Sequence, residues 1–314
     1  MDETDVTLSK LLLTNSRLSY RELADRLDLS VNAVHKRIQT LIEQRIIRAF
    51  TAKINLYTLK GVPVLVFGRS EAQSFEACEK LGRHGSTYWV GVAGGNYLYV
   101  GAYLQDIGEL EPYVDFLKKE AQMPDPTVGI ERQGADSPFS PSFRAVTLYP
   151  LDYQIIHALR NNSRKLISEV AEELGVSAKT VRRRLSRMIS EGLIELSIKW
   201  YPDASNDIMT IFHLHLKASA DKSKVGPFLL QRYSPHAIHL WSFSNLPNHA
   251  ICVVWTNTMK KLREILESLQ KEPVFESVNP NILYTGFIFD TWRDRIVSEK
   301  GAPARKEETT GTKI

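Results

Sequence analysis

The feature that most constrains this chain is a repeat within its own sequence. Shifting the chain by 147 residues aligns Asp5 to Arg48 with Asp152 to Glu195 without a gap, and 13 of the 44 pairs are identical. The longest identical run is Asn15-Ser16-Arg17 against Asn162-Ser163-Arg164. Chance similarity between two amphipathic helical stretches would tolerate gaps and would not preserve polar positions, so we infer a duplication and expect two tandem units.

Each copy of the repeat is predicted to form three short helices followed by a strand. In the second copy, residues 152–161 place apolar residues on one face of the first helix. Ser168 can cap the second helix, and Gly175 can end it in a left-handed conformation. Ser177 can then cap the third helix, and strand-like residues follow Gly192.

The third helix of the second copy is amphipathic and has charge of one sign. Its predicted buried stripe is Val181, Leu185, Met188 and Ile189. Residues 178–190 contain five Lys or Arg and no acid, whereas a solvated face usually mixes signs. Two helices joined by a tight turn, with a basic second helix, predict a helix-turn-helix whose second helix enters the major groove of DNA.

The net charge of the whole chain, +4, is a weak argument for nucleic acid, but its distribution is informative. Residues 1–55 contain nine Lys or Arg against seven Asp or Glu, and residues 151–200 contain nine against six. The excess positive charge therefore lies in the two predicted helix-turn-helix segments.

The predicted DNA contacts lie on the third helix of each copy. They are Asn32, His35, Lys36 and Arg37 in the first copy, and Lys179, Thr180, Arg182, Arg183, Arg184 and Arg187 in the second. Arg37 and Arg184 have an equally good structural interpretation, as partners of Glu22 and Glu169 on the preceding helix. Either role fits these two arginines.

The segment after each helix-turn-helix alternates strands and helices in the order βαββαβ. In the first half we predict strands at 62–67, 87–92, 97–104 and 128–131, with helices at 74–83 and 106–117; in the second half, strands at 209–217, 238–243, 250–255 and 282–289, with helices at 224–231 and 259–270. This order is typical of a ferredoxin-like sheet with both helices on one face. The other face must be covered, and dimerisation is the simplest cover.

The fold class is therefore α+β, with two winged-helix-like helix-turn-helix domains alternating with two ferredoxin-like domains. The predicted boundaries are 1–55 and 151–200 for the helix-turn-helix domains, 56–132 and 201–297 for the ferredoxin-like domains, 133–150 for a linker and 298–314 for a disordered tail.

Composition excludes several other classes of protein. A hydrophobic fraction of 43% and a charged fraction of 24% are ordinary for a soluble chain, and no segment is apolar enough to span a membrane. The acidic start at Asp2 and Glu3 does not fit a secretory signal, so we expect a cytoplasmic protein. Cys78 and Cys252 lie far apart without a ligand pattern, so we expect no disulfide, metal site or cofactor.

As a set, these residues resemble the Lrp/AsnC family of bacterial and archaeal regulators, twice along the chain. The resemblance rests on Asp5, Asn15-Ser16-Arg17, Glu22-Leu23-Ala24, Leu29-Ser30, Val34, Arg37-Ile38, Leu41-Ile42 and Ile46-Ile47, with the counterpart ending in Arg184-Leu185, Ile189 and Glu191-Gly192-Leu193-Ile194. It implies promoter binding by dimers or higher assemblies, modulated by small molecules such as amino acids.

The chain departs from the family pattern in two ways. Family members usually carry one unit, so the two sheets here either pair within the chain as a pseudo-dimer or pair with another chain. We hypothesise that the operator has unequal half-sites. The family hairpin reads Gly-x-Tyr-Asp, whereas Gly95-Asn96-Tyr97-Leu98 lacks the acid. Gly94, Gly95 and Asn96 are candidate effector contacts, but a tight turn explains them more simply.

A rival interpretation is an enzyme. The siroheme decarboxylases share this architecture and use His, Tyr and Arg on the sheet. Five histidines, His213, His215, His236, His239 and His249, fall in the second ferredoxin-like unit, but a His-Asn-Tyr-x-Arg sequence is absent. His213 and His215 share a strand face and could bind a metal, although packing or hydrogen bonding is the simpler role. A third interpretation is an interaction module that has lost DNA binding. We expect a regulator and not an enzyme.

Overall fold

A computed structural model describes residues 1–72, 74–132 and 147–302 of the chain. The first half contains α1 (Glu3–Thr14), α2 (Tyr20–Leu27), α3 (Val31–Glu43), β1 (Ile47–Ile54), β2 (Val62–Arg69), α4 (Ser74–Gly82), β3 (Thr87–Ala93), β4 (Tyr97–Leu104), α5 (Leu110–Glu120) and β5 (Thr127–Ile130). The second half contains α6 (Pro150–Leu159), α7 (Ile167–Leu174), α8 (Ala178–Ser190), β6 (Ile194–Trp200), β7 (Ile208–Leu216), α9 (Lys222–Arg232), β8 (Ala237–Ser242), β9 (His249–Thr256), α10 (Met259–Gln270), β10 (Phe275–Ile288) and α11 (Trp292–Gly301). The predicted α+β class is confirmed.

Local capping chemistry positions the recognition helices α3 and α8. Ser30 and Ser177 occupy the two N-caps, and each side chain accepts a hydrogen bond from the backbone three residues later. Gly175 ends α7 with a φ of 64°, as predicted.

The structure corrects two details of the predicted helices. Leu166, not Ser168, is the N-cap of α7, because the Glu169 carboxylate accepts the Leu166 amide at 3.2 Å and fixes the helix start there. Ile189 is 43% exposed, unlike the rest of the predicted stripe. Since Met188 already faces the core, the next residue is turned away from it by about 100°.

The two ferredoxin-like units form one eight-stranded sheet in the order β5-β2-β4-β3-β10-β7-β9-β8. The inner edges join through β3 and β10. The outer edges also meet, because the Arg132 amide donates to the Ser242 carbonyl at 2.7 Å and the Ser244 amide donates to the Ile130 carbonyl at 2.9 Å. The sheet therefore closes on itself.

The faces of the two half-sheets that lie opposite their helices pack on each other. Their shared core consists of Leu65, Phe67, Ala93, Tyr99, Ile211, Trp241, Phe243 and Ile251. The open face that the sequence analysis left to a dimer partner is thus covered within the chain, as a pseudo-dimer.

Strand β10 is longer than predicted and begins at Phe275 rather than at residue 282. Its first part pairs with β7, and its last residues pair with β3. Asn279, Pro280 and Asn281 resemble a turn in the sequence, but pairing with β7 holds them extended.

Strands β1 and β6 form a separate antiparallel ribbon that connects the two helix-turn-helix modules. Ala52 and Ile54 of β1 belong to the core of the second module, whereas Ile198 of β6 belongs to the core of the first. Each module is therefore completed by a strand from the other half.

The C-terminal helix α11 extends to Gly301, into the segment 298–314 that was predicted to be disordered. It packs on α6, and a Cβ at Gly301 would lie 2.5 Å from the Tyr153 carbonyl oxygen. The glycine that reads as flexible in the sequence instead permits close helix packing. The rest of the predicted tail, 303–314, and most of the predicted linker, 133–146, lie outside the described residues.

Candidate nucleic-acid interface

Helices α3 and α8 present side chains at equivalent positions, 147 residues apart. The exposed pairs are Asn32 with Lys179, His35 with Arg182, and Lys36 with Arg183. None of the three residues on α8 forms an ion pair within the described part of the chain. These six residues, which we call the recognition set, carry the polar chemistry of the two outer helix faces.

Three of the residues that were predicted to contact DNA form ion pairs with carboxylates. Arg37 pairs with Asp5 at 2.6 Å and with Asp2 at 2.8 Å. In the second module, Arg184 and Arg187 both pair with Asp152, at 3.2 Å and 2.6 Å. Asp152 is fully buried, so these arginines fasten α8 to α6. The three arginines thus have structural partners, and their contact with DNA stays a prediction.

The ion-pair partners differ from those that the sequence analysis named. The Glu22 and Glu169 carboxylates accept the backbone amides of Ser19 and Leu166, which cap α2 and α7. A carboxylate that accepts a hydrogen bond from the N-cap amide of its own helix is held away from the arginine. The identity of Asp5 with Asp152 was the signal in the sequence for the true partner.

Thr180 and His35 have local packing roles as well as their places on the outer faces. The Thr180 hydroxyl lies 2.9 Å from that of Ser177 at the start of α8. The His35 ring packs edge-on against Tyr20, with centroids 5.1 Å apart.

A symmetric set of contacts, which we call the clasp, joins the two helix-turn-helix modules. The Ser16 and Ser163 hydroxyls are hydrogen-bonded at 2.6 Å, and both residues are fully buried. Arg17 donates to the carbonyls of Ser163 and Lys165, and Arg164 donates to those of Ser16 and Leu18. The identical Asn-Ser-Arg runs thus meet each other across the pseudo-two-fold axis.

Residues Gly94, Gly95 and Asn96 form the hairpin turn between β3 and β4. Gly95 and Asn96 have φ angles of 71° and 56°, which suit a tight hairpin turn. The Gly94 amide donates to the Ile282 carbonyl at 3.1 Å, and the Asn96 carbonyl accepts the Ser70 amide at 2.8 Å. The contacts of these candidate effector residues are those of a turn.

Histidines of the second unit cluster on the inner face of the closed sheet. His213 lies 2.6 Å from the Tyr99 hydroxyl and 3.2 Å from His249, whose ring stacks on His215. Burial, and then the neighbouring histidines, lowers the pKa of His213 to about 4, so the ring is neutral at pH 7. Among the described residues no group of three or more His, Cys, Asp or Glu could hold a metal ion.

Comparison with known proteins places these features in a family. Residues 1–48 and 150–195 match a family model described as winged helix-turn-helix DNA-binding. An uncharacterized HTH-type transcriptional regulator of Pyrococcus furiosus is 30% identical over 124 residues, covering 38% of this chain and 84% of that protein. HTH-type transcriptional regulator LrpA of Pyrococcus horikoshii is 35% identical over 88 residues, covering 26% of this chain and 59% of LrpA.

Two further relatives are matched over a smaller part of their length. The chain spans 55% and 37% of the length of two further Pyrococcus regulators, to each of which it is 40% identical.

A solved structure is similar over nearly the whole chain. The match with the crystal structure of the siroheme decarboxylase NirDL covers 95% of this chain and 98% of the NirDL chain, with a TM-score of 0.60 and 13% identity. This likeness shows a shared two-unit fold.

No helix in the described part of the chain has the length and apolar character needed to cross a bilayer.

Three findings indicate the same family: the helix-turn-helix repeat, the ferredoxin-like sheets and the similarity to the regulators. The chain belongs to the Lrp/AsnC family of helix-turn-helix transcriptional regulators.

Proposed function

We propose that the chain is a transcriptional regulator that binds double-stranded DNA by docking α3 and α8 in the major groove. The observation that carries this proposal is the separation of charge on α8. Arg184 and Arg187 are fastened to Asp152, whereas Lys179, Arg182 and Arg183 remain exposed without ion-pair partners in the described residues. Free cations on the outer face of a recognition helix are suited to phosphates and to the acceptor atoms of guanine.

The two docking helices belong to one chain and are held by the clasp and by the β1–β6 ribbon. A single chain therefore offers the paired recognition helices that a helix-turn-helix dimer offers. We propose that the chain acts by binding in the cytoplasm, without catalysis, and that further copies and a small-molecule effector modulate it.

Fluorescence anisotropy with labelled genomic promoter fragments tests DNA binding. We expect affinity to fall steeply with salt, because neutralised phosphates release counterions. Reversing three charges with K179E, R182E and R183E should lower affinity by about a hundredfold or more, whereas K80E, K118E and K119E on the first ferredoxin-like unit should leave it unchanged.

The matched triple variant makes the outcome specific, because it changes the net charge by the same amount on the exposed α4 and α5. Equal losses of affinity in both variants would show that the effect comes from the overall charge of the chain and not from α8. Promoter affinity that is unchanged in the α8 variant would contradict the proposal.

A tetrapyrrole enzyme of the same architecture is a second candidate, and one observation favours it. His213, His249 and Tyr99 form one hydrogen-bonded group inside the closed sheet, and enzymes of this kind use His and Tyr on the sheet. Ultraviolet-visible titration with siroheme tests this candidate. A saturable shift of the Soret band that is lost in His213→Ala would support it, and an unshifted band would eliminate it.

A further inference from the structure

A cavity of about 680 Å³ lies where the helix-turn-helix ribbon meets the closing edges of the sheet. One side is formed by Leu56 and Glu195, which come from the ribbon region. The opposite side comes from the second ferredoxin-like unit, through Leu230 of α9 and Leu240 of β8. Glu131, the residue after β5, lies where the outer sheet edges meet. No DNA-contact candidate lines this cavity.

Aromatic side chains form much of the wall. Tyr88 and Tyr103 are stacked with centroids 4.1 Å apart and an interplanar angle of 10°. Trp241 lies on the same wall. Tyr57 completes the aromatic wall. These rings are polar only at their hydroxyl and indole N–H groups, so the wall suits an apolar or aromatic ligand body.

Glu131 is the acidic group of the cavity that forms no ion pair in the described residues, although Arg132 and Lys222 also line the cavity. In the described chain its carboxylate has no hydrogen-bond donor and no ion-pair partner. The neighbouring Glu195 differs, because it pairs with Arg293 at 2.8 Å. A half-buried carboxylate without a counter-charge is costly, and a protonated nitrogen beside it would offset that cost. Aromatic faces also attract cations.

We propose that this cavity binds an organic amine, a molecule with an apolar or aromatic body and a protonated nitrogen, and that Glu131 is its counter-charge. The cationic nitrogen lies beside the Glu131 carboxylate, and the body lies against Tyr57, Tyr88 and Trp241. An organic acid would instead be drawn to Arg132 and Lys222 at the cavity. The bound amine touches the ribbon that carries both helix-turn-helix modules; a regulatory effect through that contact rests on the proposed function, but the binding does not.

The pKa of Glu131 supplies a second readout. Burial, and then repulsion by Glu195, raises the pKa of Glu131 to about 7. The other titratable and charged groups at the cavity are Tyr57, Tyr88 and Tyr103, whose pKa values are raised so that they stay neutral; His239, whose pKa burial lowers to about 4; the Glu195–Arg293 pair; and the cations Arg132 and Lys222. Amine binding at pH 7 therefore ionises Glu131 and releases a fraction of a proton.

Isothermal titration calorimetry of the full chain with 2-phenylethylamine tests the proposal without DNA. The neutral analogue 2-phenylethanol and the acid 3-phenylpropionate are the comparison ligands. We expect saturable binding of the amine, with both analogues weaker by about tenfold or more. Glu131→Gln should weaken the amine to the level of the alcohol, whereas Glu276→Gln, at an exposed position on β10, should bind like the unaltered chain.

Titrations at pH 7 in two buffers with different heats of ionisation measure the released proton. The release should vanish in Glu131→Gln and decrease at pH 8.5, where Glu131 is already ionised. Three results would overturn the proposal: no saturable amine binding at about 10 mM, analogues that bind as tightly as the amine, or amine binding that is unaffected in Glu131→Gln. Since DNA is absent, a failure of promoter binding cannot produce any of them.

Discussion

Asp5 and Asp152 occupy equivalent positions in the two halves, and each fixes an arginine of the following recognition helix. The second carboxylate does more than the first, because it is fully buried and pairs with two arginines. Aspartate at this position thus forms ion pairs with some arginines of the recognition helix, while the other cations of that helix remain exposed.

Replacing Asp152 with Asn should lower the free energy of unfolding by about 2–3 kcal/mol, because two half-buried guanidinium groups lose their closest carboxylate partner in the described residues and Arg187 keeps only the longer contact with Glu191, at 3.8 Å. Chemical denaturation followed by circular dichroism measures this change. Asp5→Asn is the matched control, and we expect a smaller effect there because Asp5 is partly exposed. Equal effects at the two positions would contradict the role given to burial.

Glu131 should make stability depend on pH. Its folded-state pKa of about 7 lies above the usual 4.5, so the folded chain binds this proton more tightly than the unfolded chain. The bound proton on Glu131 therefore contributes its full stabilisation of the fold below about pH 4.5, and this stabilisation is lost as the pH rises through 7. Glu131→Gln should be about 1–2 kcal/mol more stable than the unaltered chain at pH 8 and equal to it at pH 4.5, after allowance for solvent screening. A pH-independent difference would refute this assignment.

At the scale of elements, the sequence predicts those whose signals are local. The helices of both modules follow from apolar periodicity and from Ser30, Ser177 and Gly175 at their ends. The first part of β10 and the end of α11 could not be predicted in this way, because distant partners hold them: β7 for the strand and α6 for the helix.

The candidate site shows the same division. Exposure of the recognition set follows from its place off the apolar stripe of each helix. The ion-pair partner of Arg37 could not be predicted from the sequence. Asp5 and Glu22 both lie on the helices that precede α3, and only the three-dimensional packing shows that Arg37 pairs with Asp5. The clasp is encoded in two identical sequence runs, but nothing local shows that the runs meet.

Removing the clasp arginines should uncouple the two modules. Arg17→Ala with Arg164→Ala removes four hydrogen bonds from charged donors to carbonyls of the opposite module. Affinity for a complete operator should fall by about tenfold. Once one module is bound, a more flexible connection lowers the effective concentration of the second module at its half-site. Affinity for an isolated half-site should be unchanged. Anisotropy with both DNA lengths measures this, and Arg83→Ala, at an exposed position after α4, is the control. Parallel losses on both DNAs would mean that the arginines do not act through coupling.

At the scale of the whole molecule, duplication has placed a dimer-like assembly in one chain. The sheet faces cover each other, the ribbon exchanges core residues between the modules, and the clasp joins them at the axis. Because the halves are joined covalently, their recognition helices are free to differ. They do differ at all three exposed pairs of the recognition set.

Binding-site selection from a random DNA library tests this account most directly, performed on the unaltered chain and on a variant carrying K179N, R182H and R183K. The variant gives α8 the same outer side chains as α3 at the three paired positions. We predict unequal half-sites for the unaltered chain and a nearly palindromic site for the variant, because base edges are read by these side chains. A palindrome for the unaltered chain, or an identical asymmetric site for both proteins, would contradict the account.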